Sequence, residues 1–259
     1  MTPSTGEDRH GHDAVQLQHR VEAMKSTVEQ IRERFDHDVE RFSHLETGNT
    51  AQVDSVLSLE LISEAAAAIN PHAHALLDVG CGAGNYSLKI LERLPALDVT
   101  LVDLSRPMLD RAHERISAAT RGAVRAIQAD VREVELGEET FDVIVAAAVL
   151  HHLRTDSEWQ AVFAKLYQAL KLGGSLWIYD LVQHVHPEIQ RDMWERYGRY
   201  LTAMKDESYR DHVFSYVEQE DTPKSLSFQI EIMRAVGFRE IEVLHKNACF
   251  AAFGASRNS

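Results

Sequence analysis

The chain of 259 residues carries 27 lysines and arginines against 40 aspartates and glutamates, a formal charge of −13. Phosphate backbones are gripped by clustered Lys and Arg, so this acidic balance argues against a nucleic-acid partner. With 44% hydrophobic and 26% charged residues, and no run near the roughly 20 apolar residues that span a bilayer, the composition excludes disordered, fibrous and helical-membrane classes.

Residues 1–13 are polar, show no apolar period and read as a flexible tail; without the apolar centre of an export signal, they lead to the expectation of a cytoplasmic protein. From Leu17 the apolar residues Leu17, Val21, Met24, Val28, Ile31 and Phe35 alternate steps of four and three, the stripe of one long helix. The stripe shifts to Val39 and Phe42, which predicts a break near Phe35-Asp36. Its narrow seam suits packing on the main domain, or pairing with a second copy in a homodimer. A second helix is expected over Val53 to Ala68, closing before Asn70-Pro71 because the residue preceding proline disfavours helix. Residues 14–70 thus read as a helical cap. Over residues 71–183 strand-like runs (Ala75 to Val79, Val99 to Leu104, Val124 to Ala129, Phe141 to Val149, Ser175 to Leu181) alternate with helical ones (Asn85 to Arg93, Arg106 to Ala119, Ser157 to Leu172). That alternation predicts an α/β fold with a mainly parallel sheet covered on both faces. Residues 184–223 form an insertion longer than a plain connection, and 224–259 complete the core with a helix from Ser225 to Val236 and a hairpin of Glu240 to His245 and Cys249 to Ala255.

The segment Leu76-Leu77-Asp78-Val79-Gly80-Cys81-Gly82-Ala83-Gly84-Asn85 runs from a strand through a glycine turn into a helix. Such a turn lets a ligand approach the backbone and meet the free N–H groups of the helix N-terminus. Nineteen residues after Gly84, Asp103 ends the second strand, where a carboxylate can accept from a ribose diol. Loop and acid together point to an adenosyl cofactor. The nicotinamide version of the motif, Gly-x-Gly-x-x-Gly, is the weaker match, because the third glycine comes one residue early.

At these residues the sequence resembles the class I S-adenosylmethionine-dependent methyltransferases. Asp103-Leu104 with Met108, Ala129-Asp130-Val131, and Phe141 to Val145 with Leu150-His151-His152-Leu153 resemble the later motifs, in order. The resemblance implies a Rossmann-like fold with a seven-stranded, mostly parallel sheet whose last strand is antiparallel. It also implies S-adenosylmethionine as cofactor. Asp78 and the Gly80 carbonyl would meet its amine, with Cys81, Gly82, Gly84 and Ala147 around it, Asp103 at the ribose, Leu104 and Met108 at the adenine face, and Asp130 and Val131 at the adenine edge. A fainter resemblance runs to the carboxy-S-adenosylmethionine-dependent tRNA-uridine family, whose first motif reads Gly-Cys-Ser-Leu-Gly. A cofactor-binding partner subunit without transfer activity is a further alternative.

Methyl transfer is an in-line displacement that asks chiefly for alignment and exclusion of water, with a base where the acceptor must lose a proton. His151 after the fourth strand, Asp180 at the end of the fifth, and His152 are the expected catalytic residues. The insertion's aromatic stripe suggests a lid over a small-molecule acceptor, with Phe35, Trp194, Tyr197, Tyr200, Arg210 and Tyr216 as candidate contacts. His72-Ala73-His74 and His184-Val185-His186 have a spacing that can serve a metal on a strand, but no ligand set accompanies them, so no metal is expected.

Overall fold

The computed structural model of the chain describes residues 25–44 and 50–258. Its elements run α1 (Val28–Asp36), α2 (Val39–Phe42), α3 (Ser55–Ile69), β1 (Ala75–Val79), α4 (Asn85–Leu91), β2 (Asp98–Asp103), α5 (Arg106–Ala119), β3 (Val124–Gln128), β4 (Phe141–Ala147), α6 (Asp156–Ala169), β5 (Leu170–Leu181), α7 (Pro187–Met204), α8 (Glu207–Glu220), α9 (Leu226–Val236), β6 (Glu240–Asn247) and β7 (Phe250–Ser256). The seven strands form one sheet in the order β3-β2-β1-β4-β5-β7-β6. All run parallel except β7, which is antiparallel to both β5 and β6.

Period-two alternation divides the core. Val143, Val145, Trp177 and Tyr179 face one layer with Ile62 of α3, Ile90 of α4 and Ile116 of α5. Ile144, Ala146, Leu176 and Ile178 face the other, against Trp159 and Phe163 of α6 and Met233 of α9. A sheet buried on both sides needs near-continuous apolar strands, which is what the sequence supplies. Helix ends are fixed locally: Ser105 and Ser225 accept from Met108 and Phe228 backbone N–H groups, and Gly237 closes α9 at φ 126°.

Two elements differ from the sequence reading. The stripe through Val28 predicts one long helix, but Thr27 forms a capping box with Gln30 and starts α1 at Val28. Leu17, Val21 and Met24 lie outside the described residues. The chain does break after Asp36, and Ile31 turns inward to be buried. The fifth strand starts at Leu170, directly after α6, rather than at Ser175. Leu170 pairs with Phe141 and a register shift follows, so the glycine pair sits inside an irregular strand.

The caps also join the N-terminal helices to the core. Ser105 Oγ donates to Asp36 Oδ1 at 2.6 Å while it caps α5. Ser105→Ala is expected to lower stability by about 1 kcal/mol in a denaturant titration and to speed amide exchange across α1. Unchanged exchange in α1 would show that the tie to Asp36 holds nothing in place.

Candidate active site

Strand order reverses between β1 and β4, and at such a switch point the two following loops part and leave a crevice at the carboxyl ends of the strands. The glycine turn fills one side. Gly80 has φ 63°, and a Cβ there would press to 2.5 Å from Val149. Gly82 has φ 48°, and a Cβ there would meet no protein atom within 4 Å, because that space is the crevice. Gly84 serves differently. At φ 83° it caps α4, and an added Cβ would meet Ala112 and Ile116 of α5. It does not line the cavity, so its part is packing rather than ligand contact.

Asp103 braces this turn, accepting from Gly82 N at 2.8 Å and from Ser105 N at 2.9 Å. Burial raises its pKa against those hydrogen bonds. Asp78 ends β1 and accepts from Ser87 Oγ at 2.6 Å. Its burial pushes the pKa up to about 7 despite that bond, and the neighbouring Asp103 adds to the rise. Asp78, Gly80, Cys81, Gly82, Asp103, Leu104, Met108 and Ala147 line one large cavity. Gly80, Asp103, Leu104, Asp130 and Val131 line a smaller adjoining one, closed by Val28 and Ile31 of α1. Burial raises the Asp130 pKa, but Arg132 is bonded across its carboxylate and holds it below the usual range. Lys165 donates to the carbonyls of Val131, Arg132 and Val134 and fixes that loop.

After β4 the chain kinks at Ala148, a non-glycine residue at φ 53°, and forms the 3-10 turn Leu150–His152 across the strand ends. Asp180, fully buried in β5, accepts from the backbone N–H groups of Leu150 (2.9 Å), His151 (3.2 Å) and Leu181 (2.7 Å), and its Oδ1 meets His151 Nδ1. Asp221, just past α8, brings a second carboxylate. Its Oδ1 lies 3.6 Å from His151 Nε2 and 3.3 Å from His152 Nδ1. Burial opposes charge on His151, but the two carboxylates outweigh it and raise the pKa to about 9. Burial and the charge of His151 push His152 the other way. Without a further ligand, the arrangement thus favours the charged form of His151 and the neutral form of His152. Asp180 does not line the cavity and acts on it through His151.

The insertion folds as α7 and α8 over the crevice. Of the six expected acceptor contacts, Phe35, Tyr197 and Tyr216 line the cavity. Trp194, Tyr200 and Arg210 do not. Trp194 stacks on Phe214 with centroids 4.7 Å apart, joining the two lid helices. Tyr200 donates its hydroxyl to the Thr50 carbonyl at 2.9 Å. Arg210 pairs with Asp211 at 2.8 Å. Sequence reasoning missed Asp221, Tyr86 and Arg41, which line the cavity. Tyr86 stands in the first turn after the glycine loop, a signal that could have found it. Asp221 has no local signal. Of the two spaced histidine pairs, His184 Nε2 contacts the Ala248 carbonyl and His186 pairs with Glu188.

Residues 76–174 match the family model of a methyltransferase domain. An uncharacterized methyltransferase of Mycobacterium bovis is 33% identical over 119 residues, 46% of this chain; the match spans 55% of that protein, about half its length. A carboxy-S-adenosyl-L-methionine synthase of Campylobacter lari is 27% identical over 210 residues, 76% of this chain and 83% of that one. Human N-acetylserotonin methyltransferase, solved in complex with S-adenosylmethionine, shares the fold with a TM-score of 0.56 at 18% identity, over 86% of this chain and 57% of that one.

The residues present fit an adenosyl sulfonium cofactor. Gly82 leaves open space where a side chain would intrude, Asp103 stands at the strand end beside it, and a buried carboxyl, Asp78, lies where the amine would come. A protonated Asp78 cannot pair with an ammonium group, so affinity for S-adenosylhomocysteine is expected to fall as pH drops through about 7. The fall approaches tenfold per pH unit in the limit of one linked proton. Calorimetric titrations between pH 6 and 8 check this, and Asp78→Asn should flatten the profile. A flat wild-type profile would remove Asp78 from the amine site.

Proposed function

We propose that the protein transfers the methyl group of S-adenosylmethionine to a small, largely apolar or aromatic acceptor held between the strand ends and the lid. The observation that carries this reading is continuity: one cavity runs from Gly80, Gly82 and Asp103 to Phe35, Tyr197, Tyr216 and the two histidines. When bound, the cofactor supplies an electrophilic methyl group on a positively charged sulfur.

The chain's own residues position, enclose and polarise. The glycine turn and Asp103 hold the adenosyl group, while Leu104, Met108 and Val131 give it apolar walls. Phe35, Tyr197 and Tyr216 enclose the acceptor and exclude water, which favours a displacement that needs alignment more than covalent help. His151, set by Asp180, and His152 are the polar groups on the acceptor's side. The formal charge of −13 supports a small acceptor over a nucleic acid.

The carboxylated-cofactor alternative draws support from the length of the Campylobacter lari match. Arg210, a cation that such a carboxylate could use, is committed to Asp211 away from the cavity, and of the arginines that line it Arg34 is bonded to Glu220 and Arg41 pairs with Asp38.

Incubation with methyl-labelled S-adenosylmethionine and a panel of phenols, carboxylic acids and amines should release S-adenosylhomocysteine with at least one acceptor. Asp103→Ala should weaken cofactor binding by at least tenfold, the scale of one lost charged hydrogen bond. Cofactor binding without transfer to any acceptor would favour a non-catalytic subunit, and a co-purified carboxylated cofactor would favour the alternative.

A further inference from the structure

We propose that His151, His152 and Asp221 form a binding site for a divalent transition-metal ion, with Asp180 as the carboxylate behind His151. The three donor atoms lie within 4.8 Å of one another. His151 turns Nδ1 to Asp180, and its Nε2 stands 3.6 Å from Asp221 Oδ1. His152 Nδ1 stands 3.3 Å from the same oxygen. Neither approach is angled as a hydrogen bond. Asp221 is only 5% exposed, yet among the described residues its Oδ1 has no hydrogen-bond partner, and His152 meets no polar group in hydrogen-bonding contact besides the Glu220 backbone.

Buried polar atoms are nearly always paired, so an unpaired Asp221 Oδ1 that faces His152 Nδ1 and His151 Nε2 without a hydrogen bond to either calls for something the chain does not supply. The neighbouring cations are committed elsewhere. Arg34 is bonded to Glu220, Arg154 to the Ser26 carbonyl and Thr222 hydroxyl, and Lys25 to the carbonyls of Glu218 and Asp221.

The spacing suits a metal. Around a tetrahedral ion with bonds of about 2.0–2.1 Å, neighbouring ligand atoms stand roughly 3.3 Å apart; the two separations to Asp221, 3.3 and 3.6 Å, lie close to this, and binding draws the two imidazole nitrogens, within 4.8 Å, together. A metal-bound imidazole characteristically gives its other ring N–H to a carboxylate, the relation in which Asp180 holds His151. Asp180 is itself fixed by three backbone N–H groups. Two imidazoles and one carboxylate are a donor set suited to zinc and its first-row neighbours. Three protein ligands leave a position open toward the cavity that all three residues line.

The role of the ion in the reaction rests on the methyl-transfer reading, though the site does not. A hydroxyl of the acceptor held at the open position would be made more acidic and give up its proton to solvent as it enters; its oxygen would then bond to the methyl carbon while the carbon–sulfur bond breaks and S-adenosylhomocysteine leaves.

The test is titration of the chelator-treated full chain with Co²⁺ and Zn²⁺, beside calorimetry of S-adenosylhomocysteine on the same samples, which reads the cofactor site separately. One equivalent of Co²⁺ should bind and give the visible absorption of a four- or five-coordinate ion. Asp221→Asn, His152→Gln and Asp180→Asn should each weaken it at least tenfold without lowering the melting temperature below the working range, whereas the surface change His186→Gln should leave it unaltered. Absence of saturable Co²⁺ binding overturns the proposal. So does binding that survives both Asp221→Asn and His152→Gln, since the ion would then sit on other histidines.

Discussion

A carboxylate with no exposure to water must have its lone pairs answered from within the fold, and Asp180 meets that demand by organising one end of the sheet. Three backbone N–H groups and one imidazole converge on it. Two of those N–H groups belong to the turn after β4, so the turn cannot swing away without exposing a buried charge. The kink at Ala148 and the orientation of His151 follow from that constraint. The lid follows in turn, because Thr222 N donates to the His151 carbonyl at 2.6 Å and thereby brings Asp221 to the histidine pair.

The N-terminal segment closes the same region from the other side. Ser26 N donates to the Gln219 carbonyl, Arg154 reaches back to the Ser26 carbonyl, and Arg34 grips Glu220. A partly buried ion pair such as Arg34–Glu220 adds little net stability once desolvation is counted, and serves mainly to hold two elements in one register. Here it sets α1 against the end of α8. Phe35 consequently meets His152 edge-on at 6.0 Å and forms a cavity wall. These contacts join the cap to the lid beside the cavity.

Much of the core was legible because its signals are local. Period-two apolar runs gave the strands, the glycine turn gave the loop, and the spacing to Asp103 gave the acid at the end of β2. The lid was harder. A helical stripe reveals that Trp194, Tyr197 and Tyr200 share a face, but not whether that face meets a cavity or another helix, and only Tyr197 reaches the cavity. The run Tyr209-Arg210-Asp211-His212 leaves two partners open for Arg210, an acceptor carboxylate or a neighbouring acid, and Asp211 takes it although neighbours on a helix do not ordinarily face each other. Thr27 was passed over as a helix start because the apolar stripe runs through it, although Thr27 and Gln30 have the spacing of a capping box. Asp221 stands 69 residues from His152 and enters the site only through tertiary pairing, which no window along the chain contains.

Of the unpaired polar atoms along the cavity, the Tyr86 hydroxyl stands on α4 after the glycine turn, and the others belong to His152 and Asp221. Elsewhere apolar and aromatic side chains and the braced glycine turn give shape, and shape selects a ligand without reacting with it. The histidine wall is different because it gathers two imidazoles and a second carboxylate where each denies the others a simple hydrogen-bond partner. Such a group is costly to fold, and the same fold could have placed an apolar residue at position 221 and left His151 bonded to Asp180 alone. That Asp221 is instead buried here, and pinned through the backbone of the next residue, is the observation on which the proposed metal site rests. In the proposed reaction, Phe35, Tyr197 and Tyr216 enclose the acceptor and the histidine wall is the polar side that meets it.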